Sequence, residues 1–285
     1  MMGVLLIWLG VMTNQLESMI VKRYGERYGK GGMFFNAIMC LFATVYFFVT
    51  DTGGLHFPKE IVIFGVINSF MYGLGFYSGY AAYKSGSFGL TRLFTSFGVI
   101  VPAFYGIIYL GEKASVFTFV AFALIIGSLY LINYRKEGNG QKISFNWIVW
   151  VLLVVFSNAA ITIIGKLQYD MCGDAYKNEF LILSLSLATV MLFVLGLIFE
   201  RQSFKPVMKQ GMLYGASAGV CNGIYSVLML VAYNYLPISV TSPLKSGFGI
   251  VVSFLLSVFL YKEKLSVRQI IGAVAGGAAV VIMNL

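Results

Sequence analysis

Charge, histidine, cysteine and proline are all scarce in this chain. Only 11% of its 285 residues are charged, where soluble domains carry about a quarter, and that excludes an ordinary cytosolic protein. The single histidine, His56, sits in a polar stretch, and the three cysteines (Cys40, Cys172 and Cys221) are scattered without a CxxC. Such a set makes neither a disulfide framework nor a zinc or di-iron site. No HExxH, Walker-type phosphate loop or nucleophile elbow is present. No metal, cofactor or catalytic centre is expected, and the enzyme reading falls away. What fills the chain is apolar: 59% hydrophobic residues, 25 Phe, 18 Tyr and 32 Gly against 5 Pro, with a mean hydropathy of +0.85. Aromatics and glycine are favoured in membrane helices. At about 20 residues per crossing, the chain has room for ten helices with short loops and no soluble domain. An all-α integral membrane protein is the expected class.

Apolar runs lie at residues 3–21, 33–49, 61–83, 88–110, 115–133, 147–166, 179–199, 212–235, 238–260 and 267–285. The first lacks a basic leader, and its positive charges (Lys22, Arg23) follow it, so it reads as a span and not as a cleaved signal. The odd-numbered connections hold 15 of the 20 Lys and Arg. Under the positive-inside rule those loops face the cytoplasm and both termini face outward across the cell membrane. The net charge of +9, which in a soluble chain would point to nucleic acid, is here accounted for by loops facing anionic lipid; no nucleic-acid partner is expected.

The two halves resemble each other at a shift of about 151 residues. Leu110-Gly111-Glu112-Lys113-Ala114-Ser115 matches Tyr261-Lys262-Glu263-Lys264-Leu265-Ser266, and Thr95–Val101 matches Ser246–Val252. Near the start of each half, Thr13-Asn14 with Lys22 matches Ser157-Asn158 with Lys166, each lysine eight residues beyond its asparagine. Five spans per half is an odd number, so the halves (residues 1–140 and 141–285) enter the membrane upside down relative to each other. Ten helices in two inverted five-helix repeats is the usual construction of secondary transporters, which rock between two access states.

With "LGEKASVFTFVAFALIIGSLYL" and "YKEKLSVRQIIGAVAGGAAVVIMN" at the matched helix junctions, the chain resembles the drug/metabolite transporter superfamily, in its EamA-type branch. The resemblance covers the whole chain. It implies a transporter that moves amino acids, sugars, nucleosides, vitamins or organic cations without hydrolysing ATP. The first helix also resembles the small multidrug resistance branch, which carries a membrane-embedded Glu eight residues before a Lys. Here Asn14 stands at that place, and Asn158 in the second half, so the proton-coupling carboxylate of that branch is absent from its usual position.

Polar residues at membrane depth supply the candidate site. Glu17 is the acid well inside a span, roughly 7 Å to the cytoplasmic side of its middle at about 1.5 Å per residue. Asn14, Glu17 and Ser18 share one helical face. Intramembrane acids mark solute or proton sites, the alternative being a carboxyl that snorkels to the rim beside Lys22 and Arg23. Lys245 follows Pro243, a residue suited to a helix's first turn; free N–H groups beside an ammonium would suit a carboxylate or phosphate, the alternative being a lysine reaching the outer headgroups. Arg92 near the cytoplasmic end of the fourth span reads as a rim residue. Pro102, near the centre of the fourth span, frees the carbonyl of Gly98 and marks a gate, as does Pro243. Asn68 with Tyr72 and Asn222 with Tyr225 form polar-aromatic faces on the third and eighth spans, to line a pocket or to glue helices. Gly215, Gly219 and Gly223 form a ridge for close helix contact. The Glu-Lys pairs at 112–113 and 263–264 read as junction caps.

Together these predict a secondary transporter for a small polar or zwitterionic metabolite bound near Asn14, Glu17, Asn158 and Lys245. The alternative is an exporter of organic cations coupled to protons through Glu17. Solute, lipid and possible proton partners are expected, in a monomer or homodimer.

Overall fold

The apolar runs fold as helices in the computed structural model. It describes residues 2–29, 31–51, 53–85, 91, 94–95, 97–133, 144–259 and 266–283. Among these all regular structure is helical: α1 Met2–Tyr28, α2 Gly32–Thr50, α3 Lys59–Ser85, α4 Ile100–Ile108 after a 3₁₀ turn Phe97–Val99, α5 Val116–Asn133, α6 Phe145–Cys172, α7 Lys177–Phe199, α8 Met212–Ala232, α9 Ile238–Phe259 and α10 Val267–Met283. Seven described helical stretches are long and apolar enough to cross a membrane, corresponding to α1, α2, α3, α6, α7, α8 and α9, and two shorter apolar helices cover Val116–Leu131 and Val267–Ile282.

The starts carry the expected signals. Ser144 Oγ accepts from Trp147 N at 3.2 Å at the head of α6. Ser115 Oγ accepts from Thr118 N at 3.3 Å before α5, and Ser266 Oγ from Gln269 N at 3.4 Å before α10. At Ser266 the Gln269 side chain also takes the Ser266 N–H at 2.9 Å, which completes a capping box. Gly173, at φ +69°, ends α6 where a side chain would be strained.

The helices assemble by neighbour choice. α1 lies along α8 and α3 along α6; α2 and α7 pack together, with α8 against α2 and α3 against α7; α5 pairs with α10; and α9 touches α10, α4 and α1. The central cluster of α2, α3, α7 and α8 buries Phe47, Ile61, Phe180, Leu185 and Leu192. A second cluster joins α1, α8 and α9 through Ile7, Val11, Met229 and Leu244. Leu16, Phe48, Phe70, Leu152, Val190 and Leu213 are exposed on the outside, a surface suited to lipid.

Glycine sets the closest seams. A Cβ on Gly215 would meet Ile38, one on Gly223 would meet Tyr46, one on Gly65 Leu183 and one on Gly73 Met191. The ridge on α8 is therefore a packing surface against α2, as its spacing predicts.

Several boundaries differ from the sequence reading. α6 runs on to Cys172, so Lys166 and Asp170 lie inside the helix and not in a loop. Residues Arg201–Gly211 are a helical lead-in to α8, ending in a π-turn Val207–Gly211. Pro102 is the third residue of α4, which continues directly from the 3₁₀ turn. Arg92 and Glu263 lie outside the described residues.

Candidate functional site

α1 meets α8 through residues that recur every seven positions. Gly3 lies against Tyr235 and Leu236, Gly10 against Leu228, Met229 and Tyr225, and Tyr24 against Gly211; Glu17 falls between them, opposite Asn222. A seven-residue repeat keeps one stripe of a helix facing an antiparallel partner. In that stripe small residues bring the backbones close at one end, and the carboxylate sits where the seam turns polar.

The Glu17 carboxylate is held by amides. Asn222 Nδ2 donates to Oε1 at 3.4 Å and to Oε2 at 3.3 Å, and Asn14 Nδ2 to Oε2 at 3.5 Å. Ser18 shares the face, but its hydroxyl donates to the Asn14 carbonyl at 2.9 Å on the exposed side. Cys40 on α2, Cys221 on α8 and Tyr72 on α3 lie near enough to Glu17 to feel its charge, and Tyr225 stands in the same range of Tyr72. Among the described residues no Lys or Arg pairs with Glu17; Lys22 turns to Glu26 instead, at 3.9 Å. The Glu17 carboxyl lies half-buried between two amides, one from α1 and one from α8.

Not every sequence candidate reaches this place. Asn68 is buried in the α3–α7 seam, where its Nδ2 donates to Ser184 Oγ at 3.1 Å; it joins helices and does not line the Glu17 pocket. Asn158 is exposed on α6 beside Gly75, its carbonyl accepting from Thr162 Oγ1 at 3.1 Å.

The expected anion site at the head of the ninth span is overturned. α9 begins at Ile238, so Pro243 lies buried inside the helix and not in its first turn. The first N–H groups are already used: Ile238 N donates to Glu112 Oε1 at 2.9 Å and Ser239 N to Oε2 at 2.8 Å. The Glu112 side of the predicted junction pair is a cap, but of a helix in the other half of the chain. Gly106 makes room for it, since a Cβ there would strike the Glu112 carboxylate and Ile238. Lys245 remains half-buried one turn before Gly249, whose carbonyl accepts from Gln15 Nε2 of α1 at 3.4 Å. It therefore sits on the side of α9 turned toward α1.

The sequence reading missed Cys40, Gln15 and the reach of Glu112. Gln15 neighbours Asn14 and had a polar signal of its own. Cys40 and Glu112 had none, because their partners lie on helices distant in the chain.

Comparison with known proteins agrees with this architecture. The model of the EamA-like transporter family matches residues 145–285. In residues 145–285 the chain belongs to the EamA-like transporter family. That family is part of the drug/metabolite transporter superfamily, and its members are transporters, not enzymes. Solved structures match this transporter in 28 chains. One, a crystal structure of a protein, is 13% identical, with a TM-score of 0.79 over 98% of this chain and 95% of that chain; at that identity the likeness is one of fold. No curated protein matches the sequence.

Proposed function

We propose that this EamA-like protein is a secondary transporter of a small amphipathic solute bearing a positively charged amine, which Glu17 receives. The observation that carries this reading is the Glu17 carboxylate, oriented by Asn14 and Asn222 with no basic residue paired to it among the described residues. A carboxylate at membrane depth without a counter-ion costs about 2.5–3.5 kcal/mol to insert; an incoming ammonium offsets that cost. Tyr72 and Tyr225 supply ring faces that suit an organic cation. A proton competing for the same carboxylate is the simplest coupling.

The solute crosses by alternating access of two inverted halves, residues 1–140 and 141–285. Repeat-related contacts support this. Gly65 meets Leu183 where Gly215 meets Ile38, and Gly73 meets Met191 where Gly223 meets Tyr46. Glu200 at the end of α7 accepts from Met33 N at the head of α2 at 2.8 Å. Reciprocally, Asp51 at the end of α2 accepts from Asn178 at the head of α7 at 3.1 Å. The register that lays Asn14 on Asn158 lays Glu17 on Ile161, so the charged site belongs to one half alone. Basic Lys22, Arg23 and Arg27 end α1 beside the Arg201–Lys209 lead-in of α8, which supports a cytoplasmic face there and outward termini in the cell membrane.

A second reading, an amino acid, is favoured by Lys245. Taking Gly249 as level with Gln15, Lys245 stands about 9 Å along the axis from Glu17 at about 1.5 Å per residue, a gap that a lysine stem and a zwitterion's carboxylate divide between them.

A thermal-shift panel of amines, amino acids, sugars and carboxylates on detergent-purified protein tests both readings. A ligand at 100 times its Kd stabilises by about 2.7 kcal/mol. A hit among amines that is lost in Glu17→Gln supports the proposal. Amino-acid hits that also need Lys245 select the second reading. A hit that survives Glu17→Gln refutes both.

A further inference from the structure

We propose that Lys166, Asp170 and Tyr233 form one gate of the transport path, and that Lys22, Glu26 and Tyr83 form the opposite gate, the two assembling alternately as the halves rock. The inference rests on the two-halves reading above and extends it to residues outside the Glu17 pocket.

Lys166 lies near the end of α6, with Nζ 2.6 Å from Asp170 Oδ1 and 5.8 Å from the ring centres of both Tyr169 and Tyr233. Tyr233 follows the last residue of α8. The ammonium therefore spans from α6 to α8, and these helices belong to different antiparallel pairs, α3 with α6 and α1 with α8. Beside it the glycine of position 165 faces Leu230 of α8, whose Cδ2 would stand 3.4 Å from an added Cβ. At this end the two pairs are drawn together. The closure lies on the same helix as the Glu17 pocket: Tyr233 follows α8 about two turns beyond Tyr225, and Tyr225 meets Gly10 of α1.

The same three groups recur at the other end. The shift that lays Asn14 on Asn158 lays Lys22 on Lys166 and Glu26 on Asp170, and both pairs are spaced i,i+4. The register of the glycine seams, Gly65 on Gly215 and Gly73 on Gly223, lays Tyr83 on Tyr233. Their burial is opposite. The Lys166 and Asp170 side chains are 11% and 38% exposed, while those of Lys22 and Glu26 are 43% and 64% exposed at the longer separation of 3.9 Å. One chemical device thus occurs twice, more deeply buried at one mouth than at the other. Two inverted halves related by rocking produce that asymmetry whenever one mouth is shut. An ion pair backed by tyrosine rings is strong enough when desolvated to hold a mouth closed, and in contact with water weak enough to release it.

Cross-linking tests this without a solute. In full-length protein with Cys40, Cys172 and Cys221 replaced by alanine, cysteines are placed at 166 and 233, at 22 and 83, or at all four positions, and joined with a short bifunctional thiol reagent in membranes. Each pair alone should cross-link, and the four-cysteine protein should carry one link per molecule. Two links in the same molecule overturn the proposal. Adding Lys166→Met to the 22/83 pair should speed its cross-linking about tenfold, the factor that corresponds to about 1.4 kcal/mol; an unchanged rate also overturns it. The first arm reads whether the two mouths close together and not the strength of either ion pair, so it stands even where Lys166→Met folds poorly. Neither arm involves Glu17, so failure here and failure of the amine reading are separately visible.

Discussion

Gly219→Ala should be the most damaging small substitution in the α2–α8 seam. An added Cβ at Gly219 would run into the Met39 carbonyl oxygen and stand 2.9 Å from Phe42 Cβ and 3.1 Å from Ala43 N. Two of those neighbours are backbone, inside a helix that α7 presses from the far side, so they cannot swing aside as a side chain would. The helices must separate by several tenths of an ångström to about 1 Å. Between membrane helices lipid is as apolar as leucine, and packing itself drives association. A gap of that size forfeits a quarter to a half of each contact, worth ~0.1–0.2 kcal/mol apiece, over about 40 atom pairs, or one buried leucine's worth. The loss is about 1–4 kcal/mol, which overlaps the usual ~1–3 kcal/mol for overpacking. Thermal unfolding in detergent, followed by the fraction remaining monodisperse, reads it. Two controls bracket the effect. Gly25→Ala on α1 meets nothing within 4 Å and should be neutral or stabilising by up to about 1 kcal/mol through helix propensity. Gly249→Ala meets only Gln15 Nε2, at 3.8 Å, and should lie near wild type. Gly219→Ala as stable as Gly25→Ala would refute the reasoning, because it would mean that the seam yields without loss.

Two further outcomes follow from the polar contacts. Glu112→Gln should destabilise the protein by about 1 kcal/mol, because it removes the charge from a cap on the Ile238 and Ser239 N–H groups at a positive helix end. Gly106→Ala, which displaces that same carboxylate, should combine with it non-additively by about 0.5 kcal/mol or more in a double-mutant cycle of melting temperatures; additive losses would mean that Gly106 acts elsewhere. Asn222→Ala should weaken amine binding about fivefold, equivalent to a lost hydrogen bond of about 1 kcal/mol, and should do so more than Asn14→Ala, since Asn222 reaches both carboxylate oxygens and Asn14 one. Titration of a purified amine ligand checks the order, and the reverse order would displace Asn222 from its role.

Local features were legible because local physics makes them. Apolar length marked the spans, and a glycine every fourth position on α8 announced a close helix contact. Asn14 and Glu17 were placed on one face by the helical repeat alone, and the structure joins them at 3.5 Å. The head of α9 shows where that reasoning stopped. Pro243 suggested a helix start on propensity, but Pro237 precedes the true start, and Glu112, from residues 126 and 127 positions away, already occupies the N–H groups. Asn68 had the same polar look as Asn222, yet one is spent on Ser184 in a buried seam and the other on Glu17.

By itself, then, the sequence determined the membrane class, the helices with most of their ends, and the face that carries Glu17, since each of these follows from a residue's own chain neighbours. Only the tertiary structure decided which helices touch, and with that which polar groups are glue, which are caps and which are left to receive a solute. The physical reason is the solvent. In water an apolar stripe betrays the face that will be buried, but in lipid a helix is apolar all round, and nothing along the chain distinguishes the side that meets bilayer from the side that meets α8.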